Sequence, residues 1–491
     1  MTDEENYGFD VGGFLIIRSV LTLSEIQACN DAIDSGALAE LSDVGEISES
    51  IAILRDHPRM AGYLDELTFD GYHPDGRPQL VGTSEGTSLS GGNEPRDHSR
   101  DYTHQNDVRF AQGVIAIWAL ADVVDGEGGY VFVPASHRSY VETPADLVQD
   151  DDDTGLVRQL QMNAGDLFIC VENVLHGVRP WKSASKRLVA ITFASEHAQR
   201  FGKQKNPPPE WLDELTPEQK AVVAPDGRPD SPPLLETDGQ TVTLREDSGG
   251  FHPSIYIRNP NSGIDEKEFY HWDLCGYLVL RGVMDAEWLD AANAAVEQCS
   301  DRIEVGGDAA KGSKVLAGTG VPSLRGLFEL PAPYSDPFRK MLAHPAVVHR
   351  LNWMMGSGFR LGSARAICSV EGTSGHGLHS GSDPVTPVRS YALQNGRTYC
   401  ESINVAWQLR DVTEADGGFV CIPGSHKARY PVTPSIIACE DTVDLVQHVA
   451  MQAGDVALFM GAAQTHGAYP WRSDVDRRVI LIGYTSRNIV Y

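Results

Sequence analysis

β-Branched and aromatic residues gather along this chain in short segments, among them YVFVP (130–134), RLVAITFA (187–194), FVCIP (419–423) and RVILIGY (478–484), with Gly, Pro and Asp between them. Short apolar runs of this kind, bounded by turn formers, are the pattern of β-strands. GGFLIIRSVLTLSEIQACNDAI (12–33) and CGYLVLRGVMDAEWLDAANAAV (275–296) each read as a strand followed by an amphipathic helix. The pattern predicts a mainly β fold with flanking helices: two antiparallel jelly-roll domains in tandem, helices on one face.

The tandem arrangement follows from an internal repeat. IWALADVVDGEGGYVFVPASHRSY (117–140) matches AWQLRDVTEADGGFVCIPGSHKAR (406–429) at an offset of 289, which carries Trp118 onto Trp407 and His137 onto His426. NAGDLFI (163–169) matches QAGDVAL (452–458), and one inserted residue later HGVRPW (176–181) matches HGAYPW (466–471). Residues 205–239, rich in Pro and Asp, read as a tail with one short helix at 209–222 and then an irregular linker. The expected division is an N-terminal copy over 1–204, tail and linker over 205–250, and a C-terminal copy over 251–491.

Composition narrows the partners. At 491 residues the chain exceeds one ordinary core, and a net charge of −28 repels phosphates, which argues against nucleic acid and anionic membranes. No apolar run is long enough to span a bilayer, and the acidic start MTDEENYGFD does not match a basic leader, so a cytoplasmic location is the default expectation. The eight scattered cysteines form no CxxC pair and read as reduced, mostly buried thiols. A small-molecule substrate and a monomer or homodimer are expected.

Candidate chemistry concentrates in the second copy. A jelly roll that holds a redox metal takes two histidines and a carboxylate, leaving positions open for other ligands. His379 and His466 are spaced to provide the pair, and Arg477, 11 residues after His466, is placed to hold a carboxylate through paired hydrogen bonds. Arg187 stands 11 residues after His176 in the first copy and reads as the counterpart of Arg477, which makes Arg478 the less favoured of the two neighbours. His376, three residues before His379, has two readings, a pocket wall or, as is commoner for a lone extra histidine, a surface residue; His137 and His426, present in both copies, read as structural.

GGFVCIPGSHK (417–427), GGYVFVPASHR (128–138), the late His-Gly, the Arg after it and the Gly-aromatic strand of each opening resemble the phytanoyl-CoA dioxygenase family of Fe(II)- and 2-oxoglutarate-dependent oxygenases. The resemblance covers most of both copies. It implies a double-stranded β-helix, Fe(II) on His379 and His466, 2-oxoglutarate anchored by Arg477, and Trp407 in contact with that cosubstrate. No catalytic group beyond the metal site is implied. One departure stands out: hydroxylases of the family carry His-x-Asp, whereas this chain reads His379-Ser380-Gly381. Three consequences are open: Asp383 reaches the metal from the next turn; the position is free for water or chloride, as in iron halogenases that resemble this arrangement; or the metal site is weak and the protein is a non-catalytic small-molecule binder.

The first copy has Ser90 where the second has His379, so of its pair only His176 remains, and it is expected to be degenerate. His104, beside Asn106, is a weaker candidate ligand, because the ungapped match pairs it with Leu393. On the strand INVAWQL (403–409), Asn404, Ala406 and Gln408 stand where the first copy has Ile115, Ile117 and Ala119. The added polarity suits a pocket face, with Asn404 a candidate cofactor contact; a solvent-facing strand surface explains it equally well.

Overall fold

A computed structural model describes residues 1–36, 49–69, 71–81, 86–92, 101–105, 108–152, 154–182, 187–197, 216–217, 219, 234–237, 240–245, 263–307, 309–356, 358–382, 384–386, 389–394 and 397–486. Each copy opens with a helix that the sequence reading did not include, Asp3–Gly12 in the first and Glu266–Cys275 in the second. The signals were present. Thr2 and Glu5 form a capping box at the first helix, and Asp265 accepts the backbone N–H groups of Lys267 and Glu268 at the second.

Behind each helix lies one large antiparallel sheet. In the first copy Phe14–Ile17, Leu167–Val171, Gly113–Ala119, Leu188–Ser195 and Tyr72–Pro74 lie side by side in that order. In the second, Tyr277–Leu280, Val456–Met460, Ser402–Gln408 and Arg477–Ser486 repeat the order, and Phe359–Ser369, Pro322–Leu324 and Glu304–Val305 extend it. A smaller sheet faces each large one: Leu175–Arg179, Gly129–Val133 and Arg158–Gln159 in the first copy, and His376–His379, His466–Tyr469, Gly418–Cys421 and Gln447–His448 in the second. The mainly β, double-stranded β-helix architecture expected from the strand pattern is therefore present twice.

One detail differs from expectation. Leu234–Thr237 and Val242–Arg245 pair as antiparallel strands within what reads as irregular linker. Most of the expected helix at 209–222 lies outside the described residues.

The copies pack as a pseudo-twofold pair. Asp10, fully buried in the first helix, accepts from Arg138 (2.8 Å), from the Tyr102 hydroxyl (2.8 Å) and from the backbone N–H of Arg429 in the other copy (2.7 Å). Asp273 repeats the arrangement with Lys427 (2.8 Å), Tyr391 (2.7 Å) and the N–H of Tyr140 (2.9 Å). Arg138 also donates to the carbonyl of Lys427, and Lys427 to that of Arg138 at 2.9 Å. His137 and His426 contact the carbonyl oxygens of Asp10 and Asp273, as a structural role requires. Apolar packing crosses the boundary too: Val131, Val133 and Leu175 share a core with Phe269, Leu274 and Phe459. All eight cysteines are buried and unbridged. Among the described residues no helix is long and apolar enough to cross a membrane.

Candidate active site

The second copy encloses a cavity of about 370 Å³ between its two sheets. Strand alternation explains its lining: Asn404 and Ala406 point in from one strand, Arg477, Val479 and Leu481 from the next, Arg365, Ile367 and Ser369 from the third. His379 and His466 enter from the smaller sheet, where they are directly paired across antiparallel strands. Their ring centroids lie 4.3 Å apart, with His376 4.5 Å from His379. Each imidazole directs Nδ1 to a carbonyl oxygen: His379 to Gly377 (3.1 Å), His466 to Gln464 (2.9 Å), His376 to Gly377 (2.9 Å). A ring nitrogen facing a carbonyl carries the proton, which leaves Nε2 with a free lone pair, the form in which imidazole binds a metal. Burial, then His466 and His376, push His379 down to about 3, and burial pushes His466 down to about 4, so both are neutral near pH 7. His376 lines the cavity and is only partly exposed, which matches the pocket-wall reading and not the surface one.

Arg477 is the buried charge of the site. It is 7% exposed, Nε has no hydrogen-bond partner, and no carboxylate among the described residues pairs with it. Burial pushes its guanidinium down to about 10, which still leaves it cationic at neutral pH. Arg478 turns the other way, to Asp476 (2.6 Å) and Asn293 (3.2 Å to its carbonyl). The structure corrects the pairing with the first copy: Leu188 lies beside Ala119 and Val479 beside Gln408, so the final strands are matched two residues beyond the 289 offset. Arg187 is therefore the counterpart of Arg478, and the two bind Asn30 and Asn293 alike.

Trp407 also requires correction. Its neighbours Ala406 and Asn404 face the cavity, so Trp407 faces the helices, fully buried, with its ring 5.2 Å from that of Trp288. It supports the sheet from behind and does not reach the space beside the histidines. Sequence reasoning missed Arg365, Arg325, Phe419 and Phe459 in the lining; only the alternation around Arg365 hinted at its side of the sheet.

The absent His-x-Asp carboxylate has a backbone cause. Gly381 has φ +117°, and a Cβ there would sit 2.9 Å from the Thr465 hydroxyl. Gly92 in the first copy also has positive φ (+68°), so glycine at this place serves the turn. Asp383 lies outside the described residues. Among the described residues no group of three His, Cys, Asp or Glu is arranged to hold a metal ion.

The corresponding region of the first copy is filled. Ser90 bridges to His176 as His379 pairs with His466, but the ring of Tyr130 stacks on His176 at 5.5 Å. A Cβ on Gly129 would meet the Trp181 ring at 2.2 Å, whereas one on Gly418, its counterpart, would meet Arg477 Nε at 3.2 Å. An indole thus stands where the second copy has its guanidinium. His104 lies 3.6 Å from the Asp10 carboxylate and stacks on Tyr430; His98, Asn106 and Asp107 lie outside the described residues.

Paired histidines facing an arginine across a double-stranded β-helix are the framework of a non-haem metal oxygenase. The family model of phytanoyl-CoA dioxygenase (PhyH) matches residues 90–189 and 272–479, and the chain belongs to this family of 2-oxoglutarate-dependent non-haem iron oxidoreductases. Similar solved structures include HygX from Streptomyces hygroscopicus with nickel, 2-oxoglutarate and hygromycin B bound, at 18% identity and TM-score 0.38 over 46% of this chain and 88% of that one. The epimerase SnoN from nogalamycin biosynthesis is 18% identical at TM-score 0.35 over 45% and 82%, and AviO1 from Streptomyces viridochromogenes Tue57 is 14% identical at TM-score 0.35 over 46% and 96%. No curated protein sequence matches the chain.

Proposed function

We propose that the C-terminal copy holds Fe(II) on Nε2 of His379 and His466 and 2-oxoglutarate on Arg477, and hydroxylates a small organic molecule. The observation that carries this reading is Arg477 itself. A cation taken out of water without a counter-ion is costly, and here it faces the same cavity as two neutral imidazoles with free Nε2 positions. A dicarboxylate that pairs with Arg477 at one end and meets the metal at the other satisfies both. When bound, iron and 2-oxoglutarate supply the oxidising power for attack on an unactivated C–H bond. The chain supplies the rest: Nδ1 contacts that fix the imidazole orientation, a guanidinium that fixes one end of the cosubstrate, and Phe419 and Phe459 against His466, which exclude water. The N-terminal copy, with Ser90, Tyr130 and Trp181 in the equivalent space, is a structural partner without a metal site.

The test is anaerobic titration of the full chain with Fe(II) and 2-oxoglutarate, reading the visible charge-transfer band of the chelate. A band in the parent that disappears in His379→Ala, His466→Ala and Arg477→Ala supports the reading. A parent without a band overturns it in favour of a non-catalytic binder, and a band that survives all three changes overturns the assignment of the site to these residues.

Halogenation on the same scaffold is a second reading, favoured by one observation: Gly381 has no side chain and its backbone strains any that replaces it, so the position a carboxylate would take stays open for a halide. Chlorinated product formed only with added chloride would select it.

A further inference from the structure

The cavity is cationic in a chain whose net charge is −28. Arg325, Arg365 and Arg477 line it, and among the described residues none of the lining side chains is Asp or Glu. Arg365 lies on a strand and Arg325 follows directly after the end of its antiparallel neighbour, Pro322–Leu324: Ser323 pairs with Ile367 and Leu324 with Ala366, so that register continued by one residue brings Arg325 toward Arg365. Like charges directly opposed across a strand pair destabilise the sheet. Burial and the charge of Arg325 both push Arg365 below the usual guanidinium range. Among the described residues no carboxylate forms an ion pair with either arginine. Such a pair persists at a cost unless an anion bridges it.

That anion is separate from the one on Arg477. Arg477 pairs with Ser369 and Leu481 with Arg365, so the two arginines lie four residues apart along the ladder, roughly 13 Å at the rise of an extended strand. A small dicarboxylate fixed between Arg477 and the histidines does not extend that far. Ser323, paired with Ile367, lines the wall near Arg365 and supplies a neutral hydrogen-bond donor, while Ile367 and Val321 give an apolar stretch toward Arg477.

Resting on the reading above, the geometry points to a substrate that carries an oxyanion, a carboxylate or a phosphate, at the end remote from the carbon oxidised. Arg365 and Arg325 clamp that group, and the apolar middle of the molecule spans the cavity toward His379 and His466. Arginine suits the task because its planar fork binds oxyanions through two parallel bonds.

The probe is inorganic phosphate, titrated calorimetrically into the full-length Fe(II)-loaded protein without oxygen, with and without saturating 2-oxoglutarate; acetate is titrated in parallel. The expected result is one phosphate or acetate per chain in the presence of 2-oxoglutarate, with the tighter of the two naming the oxyanion. Arg365→Gln and, independently, the exposed Arg325→Gln should each weaken binding roughly tenfold or more, and Arg365→Lys less. The anion should raise the melting temperature of the parent and leave that of Arg365→Gln unmoved. Three results would overturn the inference: no anion binding, an affinity unchanged in both Gln variants, or one-for-one displacement by 2-oxoglutarate, which would place the anion on Arg477. The charge-transfer band separates the two readings. A band without anion binding sinks this inference alone, whereas anion binding without a band keeps the clamp and removes the cosubstrate site.

Discussion

A guanidinium buried without a counter-ion costs the folded state free energy that a ligand recovers, and Arg477 is in that position. Replacing it with an apolar side chain of similar length removes the cost. Arg477→Met is expected to raise the stability of the ligand-free protein by about 1–3 kcal/mol while abolishing the 2-oxoglutarate chelate band; denaturant unfolding beside the anaerobic titration checks both. Gly381 poses the opposite case. Its φ of +117° and the Thr465 hydroxyl 2.9 Å from a Cβ make Gly381→Asp a strained residue, expected to cost about 1–3 kcal/mol and to leave Fe(II) affinity no higher. A gain in affinity would show that the carboxylate is tolerated. At this scale the sequence was partly legible. His379, His466 and Arg477 stood out by type and spacing, but the reason for Gly381 lay in a dihedral angle that residue names do not carry.

Between strands, the decisive quantity is which way alternate residues point. A one-residue change of phase sends a side chain to the other face, and two assignments failed on that point. Trp407 faces the helices because Asn404 and Ala406 face the cavity, and Arg187 matches Arg478 because the loop before the last strand differs by two residues from the 289 offset. The pairing of Ser90 with His176 has a direct consequence. Ser90→His restores a histidine pair by register, yet Tyr130 and Trp181 still fill the adjoining space. Metal content of the anaerobically loaded variant is expected to stay at one Fe(II) per chain; two would show that the first copy needs only its missing histidine.

Across the whole molecule the copies are distinct in sequence order and continuous in packing. Asp10 and Asp273 each collect donors from both copies, and apolar side chains of both interleave. Asp10→Ala leaves Arg138 buried without its carboxylate and is expected to cost roughly 3–5 kcal/mol in urea unfolding. Burial alone would raise the Asp10 carboxyl, but Arg138, His104, the Arg429 N–H and Tyr102 outweigh it and hold it at about 2. A carboxyl depressed in the folded state stabilises above its unfolded value of about 3.9 and loses that contribution as pH falls toward 2, with a size of roughly 2 kcal/mol. Stability of the parent should therefore decline over that interval, and Asp10→Asn should lack that part of the slope when unfolding is followed against pH.

The sequence by itself determined the strand-rich architecture, its duplication and the residue types at the candidate metal site. Alternation, turn residues and a repeated motif are local properties, written in the order of residues. Only the tertiary structure decided which residues share a wall. It put Arg365 and Arg325 into the cavity of Arg477, turned Trp407 away from it, and filled the first copy's site with Tyr130 and Trp181. Those outcomes depend on register between strands far apart in the chain, and on a backbone angle at Gly381, which neither composition nor spacing encodes.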